Sequence, residues 1–579
     1  MADTSQESRG PGVQVAPRRM PRRLRGLVAS PAALGGVALA VYLLAALAIF
    51  GRGVVGSPDS KIVGDAGADK TIFMWAFRWW PHSVVHGHDP FNANVVWVPH
   101  GIDLSWVTSV PLLSFVLSPL TAAFGEVVAY NVAVLAAPAL SAWAAYLLAR
   151  WLTKSFWPSL LGGWLFGFSA FEIGHMVGHL NLVYLVFVPL CALLTLRHLH
   201  CEITDRRFVV LLALALAGQF LTSTEVFVTL LLVAALFIGS LALFEPSIRG
   251  RLRRTVICSA LGTLFCLVLV SPYLWHAFIV SGTKNAPLRS PYSASADVLN
   301  YLVPTRLIEL QLPGSSEIAS HFTAIGAERG AYLGLPLLLI VALFLATVRR
   351  SRTRMAVAVA LALTIVASLG ASVRVLGHGL VPAPWKVLAV LPITRTILPI
   401  RLTLFVALAV AMIAAVWVTE SGGGSARWRW LLAVLAVLFV LPNPATKQWS
   451  ADVPNPAFFR TSEYRTYIGY GETALVLPYG GAGWSLLWQA EDGFQYRLVG
   501  GHLGRKVTPE EARWKSIYLA LGPGPSSGNF GPSFRRFLAT HNVDVIVVAR
   551  DTRLRAQRLV DSLGLTPVHA ADVAVYRLH

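Results

Sequence analysis

The chemistry this chain can offer rests on a few polar residues at the edges of long apolar stretches, where charge is costly without a partner or a purpose. The run Gly64-Asp65-Ala66-Gly67-Ala68-Asp69-Lys70 follows the first such stretch and holds two carboxylates. A carboxylate beside a membrane surface can take a proton from a hydroxyl as general base. Asp69 fits helix capping equally well, because acidic first turns complement the helix dipole. His175 and His179 are spaced i, i+4 in His175-Met176-Val177-Gly178-His179-Leu180-Asn181, which on one helix puts both imidazoles on one face. Such a pair can hold a divalent metal, contact a phosphate, wall a polar site together with Asn181, or simply sit at the membrane interface. A metal would need Asp65, Asp69 or Glu225 to complete its shell. Glu225 closes the polar step Leu221-Thr222-Ser223-Thr224-Glu225 between two apolar runs, where it orients a hydroxyl or caps a helix. Arg401, in Pro399-Ile400-Arg401-Leu402, either snorkels to the membrane surface or holds a phosphate through its forked donors.

The scaffold that must position these residues is dictated by composition. The 579 residues are 55% hydrophobic and 13% charged, with a mean hydropathy of +0.61, whereas about a quarter of the residues of a soluble globular protein are charged. Apolar stretches recur from Ala33 to Pro442, many near the ~20 residues that cross ~30 Å of hydrocarbon. The chain therefore reads as a polytopic α-helical membrane protein, which excludes a secreted enzyme, a fibrous chain and a disordered one. A net charge of +19 does not imply nucleic acid, because Lys and Arg sit in short loops between apolar segments rather than on one basic, aromatic face. Four cysteines, Cys191, Cys201, Cys258 and Cys266, lack metal-type spacing, and three of them fall inside apolar segments, where a thiol behaves as a small hydrophobe.

Topology follows from the basic residues. If the apolar stretch 107-124, broken by Pro111 and Pro119, crossed the membrane, the loops at Arg197 to Arg207, Arg249 to Arg254 and Arg349 to Arg354 would lie opposite the Arg-rich head. Laying that stretch along the outer face returns every one of those loops to the cytoplasm with the head, in accord with the positive-inside rule. The expectation is about eleven spans within 31-442, a cytoplasmic basic tail at 1-30 and an external loop at 51-126. The segment 443-579 turns polar, with β-type runs at 473-478, 543-549 and 574-578 and helical stretches near 509-521 and 533-541. It reads as a small external α/β domain. The run Val-Asp-Val-Ile-Val-Val from Val543 suits a strand buried on both faces. The Trp-rich stretch Thr71 to His86 reads as an interfacial anchor rather than a cofactor box. Trp484, Trp488, Gln489 and Tyr496 suit a domain core or a sugar-stacking surface.

The order of parts resembles the GT-C superfamily of membrane glycosyltransferases. Asp65 and Asp69 fall where such enzymes carry a loop carboxylate. Trp79-Trp80-Pro81 to Asp89-Pro90-Phe91 and Val107 to Phe124 look like their juxtamembrane sections, and Gly174 to Asn181 resembles a stretch of uncharacterised actinobacterial-type members. The first loop has no adjacent Asp-Glu pair, and the chain has no Trp-Trp-Asp signature, so the resemblance does not extend to protein glycosylation. It implies a plasma-membrane hexosyl- or pentosyltransferase that moves a monosaccharide from a polyprenyl-phosphate carrier to an external lipid, polysaccharide or cell-wall glycan. Asp65 or Asp69 would be the base. His175, His179, Asn181, Glu225 and Arg401 would contact substrate; no cofactor is certain, and a divalent metal stays open. The rival classes are a transporter or flippase of a lipid-linked saccharide, which would carry charges deep within its spans, and a non-catalytic scaffold.

Overall fold

The computed structural model describes residues 30–281, 294–324, 326–389, 397–420, 425–504, 509–522 and 530–578. The first helix, Pro31–Phe50, starts where Ser30 caps it by accepting the Ala33 N–H and Pro31 occupies the first turn. Its buried stripe of Ala38, Tyr42, Ala46 and Phe50 recurs at the four-residue spacing of one helical face. That face meets the long helix Ser118–Thr153 and the helix Phe156–Gly167, where Tyr42 donates to the Leu160 carbonyl at 2.8 Å. Small residues set this approach. A Cβ on Gly163 would lie 2.2 Å from the Tyr42 oxygen, and one on Gly162 3.1 Å from Ala415. Close packing of this kind is what drives helix association where lipid removes the hydrophobic incentive.

Among the described residues, six helices are long and apolar enough to cross a bilayer: Pro31–Phe50, Ser118–Thr153, Leu180–Leu199, Thr224–Phe244, Pro246–Leu269 and Pro399–Thr419. Other stretches read as spans form shorter helices, including Phe156–Gly167, Leu335–Ala346, Arg352–Ser368 and Ser425–Phe439. Eleven apolar segments thus do not become eleven full-length helices among the described residues, because loops and charged ends take part of each segment. The chain is a multi-pass membrane protein all the same. The stretch 107-124 breaks into the short helix Pro111–Val116 and a piece that kinks at Gly125, where φ is +84°. Neither piece is long enough to cross.

The segment after 442 contains a five-stranded mixed sheet in the order Val568–Ala570, Val573–Arg577, Val545–Ala549, Thr473–Leu477, Arg497–Leu498. Thr473–Leu477 runs parallel to both its neighbours, and the outer pairs involving Val573–Arg577 are antiparallel. Val545–Ala549 is buried along its whole length. Its alternate residues explain why: Ile546 and Val548 join Leu475, Leu477, Phe534 and Phe537 in a core of their own, while Val545 and Val547 belong to the core shared with the membrane helices. The unit is therefore seated on the rest of the chain. A second link is the antiparallel pairing of Lys61–Val63 with Ser450–Asp452, in the register Lys61 to Asp452 and Val63 to Ser450.

The Trp-rich helix Asp69–Val85 lies beneath this unit instead of anchoring at a lipid interface. Trp75 donates to Gln489 Oε1 at 3.0 Å, and Trp75 and Trp79 both pack edge-on against Phe494. Trp488, Gln489 and Tyr496 are fully buried core residues, which leaves no stacking surface on them.

Candidate active site

The acidic hairpin begins one residue beyond the strand Lys61–Val63 and is pinned from both sides. Gly64 N–H donates to the Trp449 carbonyl and Asp65 N–H to the Val177 carbonyl, each at 3.2 Å. Gly64 has φ +110°, and a Cβ there would lie 2.4 Å from the Val177 carbonyl oxygen. Only glycine lets the hairpin pass this close to the 173-181 connection. Lys70, 1% exposed, places its ammonium 2.5 Å from Asp65 Oδ1, which also accepts the Gly67 N–H at 2.9 Å. Burial draws the Lys70 pKa below the usual ammonium range, opposed by the charge of Asp65. Asp65 Oδ2 accepts no hydrogen bond among the described residues.

Asp69 is the first residue of its helix but does not cap it. Its Oδ1 accepts from His502 Nε2 at 2.6 Å, and its Oδ2 lies 3.8 Å from His179 Nε2. The His502 hydrogen bond holds the Asp69 carboxyl below the usual range despite partial burial. His502 comes from the C-terminal unit, so the hairpin, the 173-181 connection and that unit converge on one carboxylate.

The two imidazoles do not share a helical face. The helix Ala170–His175 ends at His175, and a turn through Gly178 brings His179 to the start of the next helix. His175 is buried, with Nδ1 hydrogen-bonded to the Phe171 carbonyl and Nε2 3.4 Å from Glu328. His179 instead reaches the cavity; burial, with the His175 charge, pushes its pKa down to about 4, so it is neutral near pH 7.

Glu328 is the hub of a buried ion network. Arg401 Nη2 donates to Glu328 Oε1 at 2.5 Å, and Arg401 Nη1 donates to Glu225 Oε2. Glu225 Oε1 accepts the Leu398 N–H at 2.9 Å. The forked donors expected to hold a phosphate at Arg401 are thus already engaged by two carboxylates, and Glu225 serves that guanidinium rather than a helix cap. Removing either partner of such a buried pair leaves an uncompensated charge, so the network fixes the ends of three segments.

One cavity of about 1360 Å³ unites these residues. Asp65, Asp69, His179, Asn181, Glu225 and Arg401 all line it; His175 stands behind it, touching Glu328. Arg306 and Arg329 line it as well. No carboxylate pairs with either among the described residues; Arg329 donates only to the carbonyls of Ala324 and Ser320. Burial and the nearby Arg306 charge hold the Arg329 pKa below its ordinary value. One wall is apolar, formed by Phe220, Phe227, Val228, Leu267, Leu274 and Phe278.

Sequence reasoning missed Lys70, His502 and Arg306 as parts of the site. A metal shell built on the hairpin does not fit this arrangement: the Lys70 ammonium sits on Asp65, His502 on Asp69, and His175 turns to Glu328. Among the described residues, the three-ligand cluster with metal-like spacing is His198, Asp205 and Cys258, away from the cavity.

The fold is shared with solved structures of other proteins. The structure resembles the arabinofuranosyltransferase AftD from Mycobacteria, with a TM-score of 0.57 and 14% identity over 95% of this chain and 40% of that one. It also resembles ArnT from Cupriavidus metallidurans bound to undecaprenyl phosphate, with a TM-score of 0.51 and 13% identity over 93% and 97%. The chain spans well under half the length of AftD. Residues 38–442 match the family described as Domain of unknown function (DUF6311), and the chain belongs to that family. No curated protein sequence matches it significantly.

Proposed function

We propose that the protein transfers a monosaccharide from a polyprenyl-phosphate carrier to an acceptor hydroxyl, on the side of the membrane where the C-terminal unit sits. The observation that carries this reading is the make-up of one cavity, which combines a carboxylate with a free oxygen, two uncompensated guanidinium groups and an apolar wall. Each feature meets one demand of the reaction. The acceptor oxygen attacks the anomeric carbon as its proton passes to Asp65 Oδ2, and the bond from that carbon to the phosphate oxygen breaks. A direct displacement of this kind inverts the anomeric centre. The departing phosphate gains negative charge, which Arg306 and Arg329 stabilise with donors already in place. The polyprenyl chain lies along the Phe220, Phe227 and Phe278 wall.

Asp69, neutral His179 and Asn181 orient the acceptor and sugar hydroxyls, and Arg401 holds Glu225 and Glu328 in register. Such positioning is a large part of what a transferase supplies, because the phosphate is already a tolerable leaving group. ArnT, solved with undecaprenyl phosphate, matches over nearly its whole length and supports a lipid-phosphate donor. The external α/β placement of 443-579 belongs to the same proposal.

The test incubates purified protein with radiolabelled polyprenyl-phosphate sugars and extracted envelope glycans and lipids. Label should move to an acceptor fraction and be lost in an Arg306→Ala/Arg329→Ala variant. Absence of transfer with every donor, together with movement of a lipid-linked saccharide across proteoliposomes, would replace the transferase with a transporter.

A further inference from the structure

The helices Asp205–Thr222 and Arg249–Leu269 pack side by side and run parallel, because Thr224–Phe244 returns the chain between them. Their C-terminal ends border the large cavity through Phe220, Thr222 and Leu267. Their N-terminal ends border a second one, of about 710 Å³. From Arg206 to Thr222 and from Arg253 to Leu267 the helices rise sixteen and fourteen residues, roughly 21–24 Å at about 1.5 Å per residue, most of the thickness of the hydrocarbon layer.

We propose that this second groove binds the headgroup and upper acyl chains of an anionic phospholipid in the leaflet opposite the large cavity. The inference rests on the multi-pass architecture alone and does not depend on the transfer reaction. The helices touch where a Cβ on Gly262 would lie 3.2 Å from both Leu212 and the Val209 carbonyl, so Arg249–Leu269 runs on past the start of its neighbour. Towards the N-terminal ends the space opens, and Gly250 has no neighbour within 4 Å of where its Cβ would be.

The rim of the groove carries Asp205, Arg206, Arg253 and Arg254. Asp205 is spent on two partners, accepting from Arg254 Nη2 at 2.9 Å and lying 2.8 Å from His198 Nε2. That pairing neutralises Arg254. Arg206 and Arg253 are exposed and have no acidic partner among the described residues. Two positive charges therefore stand over the groove without internal compensation.

Below them the lining is aliphatic. Val210, Ile257 and Leu261 are 44%, 51% and 51% exposed and continue into the outward-facing surface of the helix through Leu264. A free inorganic anion would use the arginines and leave this wall bare. A zwitterionic lipid would use the wall and leave the net charge unmatched. An anionic phospholipid satisfies both, and basic pockets between membrane helices are a recurrent way of holding such headgroups.

The test is native mass spectrometry of the full-length protein in detergent with added diphosphatidylglycerol, phosphatidylglycerol, phosphatidylethanolamine or inorganic phosphate. The anionic lipids should be retained selectively, and an Arg206→Ala/Arg253→Ala variant should lose retention roughly 30-fold, as expected for two near-surface charges. Arg206→Lys/Arg253→Lys should keep most of it. Ile257→Trp, which fills the groove and leaves the charges, should displace the lipid without lowering the thermal unfolding temperature in lipid-free detergent. Equal retention by the double alanine variant, equal retention of the zwitterionic lipid, or displacement by millimolar phosphate would each overturn the proposal.

Discussion

Replacing Asp65 with asparagine should injure the protein twice, and the two injuries can be separated. As a base, the carboxylate is worth about 10²–10⁴ in rate, or roughly 3–5 kcal/mol of barrier at 1.36 kcal/mol per decade. As a counter-ion, it sits 2.5 Å from a Lys70 ammonium that is 1% exposed, while Asp65 itself is 47% exposed. A fully buried pair that loses one partner is destabilised by ~3–5 kcal/mol, and water at the half-exposed aspartate lowers the expected figure to about 2 kcal/mol. The loss carries a pH signature. Burial already depresses the Lys70 pKa and Asp65 counteracts it, so the asparagine variant drops it further. Between that depressed value and the ordinary ammonium value the unfolded chain binds more protons than the folded one, and stability rises with pH. Asp65→Asn should therefore be least stable near neutrality and recover towards pH 10, with the wild type flatter. Adding Lys70→Met removes the orphaned cation, so the double variant should unfold like wild type and still fail to transfer. Label transfer and thermal unfolding in detergent read the two effects. A double variant with transfer within about ten-fold of wild type would remove Asp65 from the chemistry, and Asp65→Asn with unchanged stability at pH 7 would remove the buried-cation argument.

Three further outcomes follow from the same geometry. Glu328→Gln should destabilise by ~3 kcal/mol, the low end for a buried pair because Glu225 still holds Arg401; thermal unfolding measures it, and Glu328→Asp should lose less. Gly64→Ala puts a Cβ 2.4 Å from the Val177 carbonyl at a left-handed φ, and should lower stability by about 1–3 kcal/mol and suppress transfer, whereas Gly56→Ala, which meets open space, should do neither. Burial, reinforced by Glu491, pushes Asp492 up to about 8, and burial with Glu126 pushes Glu491 up to about 7. The folded state then binds more protons than the unfolded one from about pH 4 upward, so stability falls as pH rises towards 8, and the melting temperature of Asp492→Asn should exceed that of wild type by a margin that widens across this window.

Much of the architecture was legible because period and composition act locally. The strands at 473-477, 545-549 and 573-577 and the first helix announce themselves through β-branched density and apolar length. The polar lining was legible for a different reason: Asp65, Asp69, His179, Asn181, Glu225 and Arg401 are costly where they stand, and cost marks a site. What escaped was pairing. Lys70 gives no sign of burial in the sequence, and only the 173-181 connection closing over it makes it a buried cation; His502 lies 433 positions from the aspartate it bonds. Arg401 looks free until Glu225 and Glu328 arrive from two other segments. The i, i+4 spacing of the histidines misled because it is meaningful only on an unbroken helix, and this one stops at His175.

The pairing of Lys61–Val63 with Ser450–Asp452 has a consequence for biosynthesis. A ribosome delivers the first strand early and its mate nearly four hundred residues later, when most of the helices have already been made. Through that interval the hairpin has only its contact with the 173-181 connection, and a chain ending before Ser450 lacks both the bracing strand and His502. The hairpin reaches its full bracing only after more than three quarters of the chain has been made.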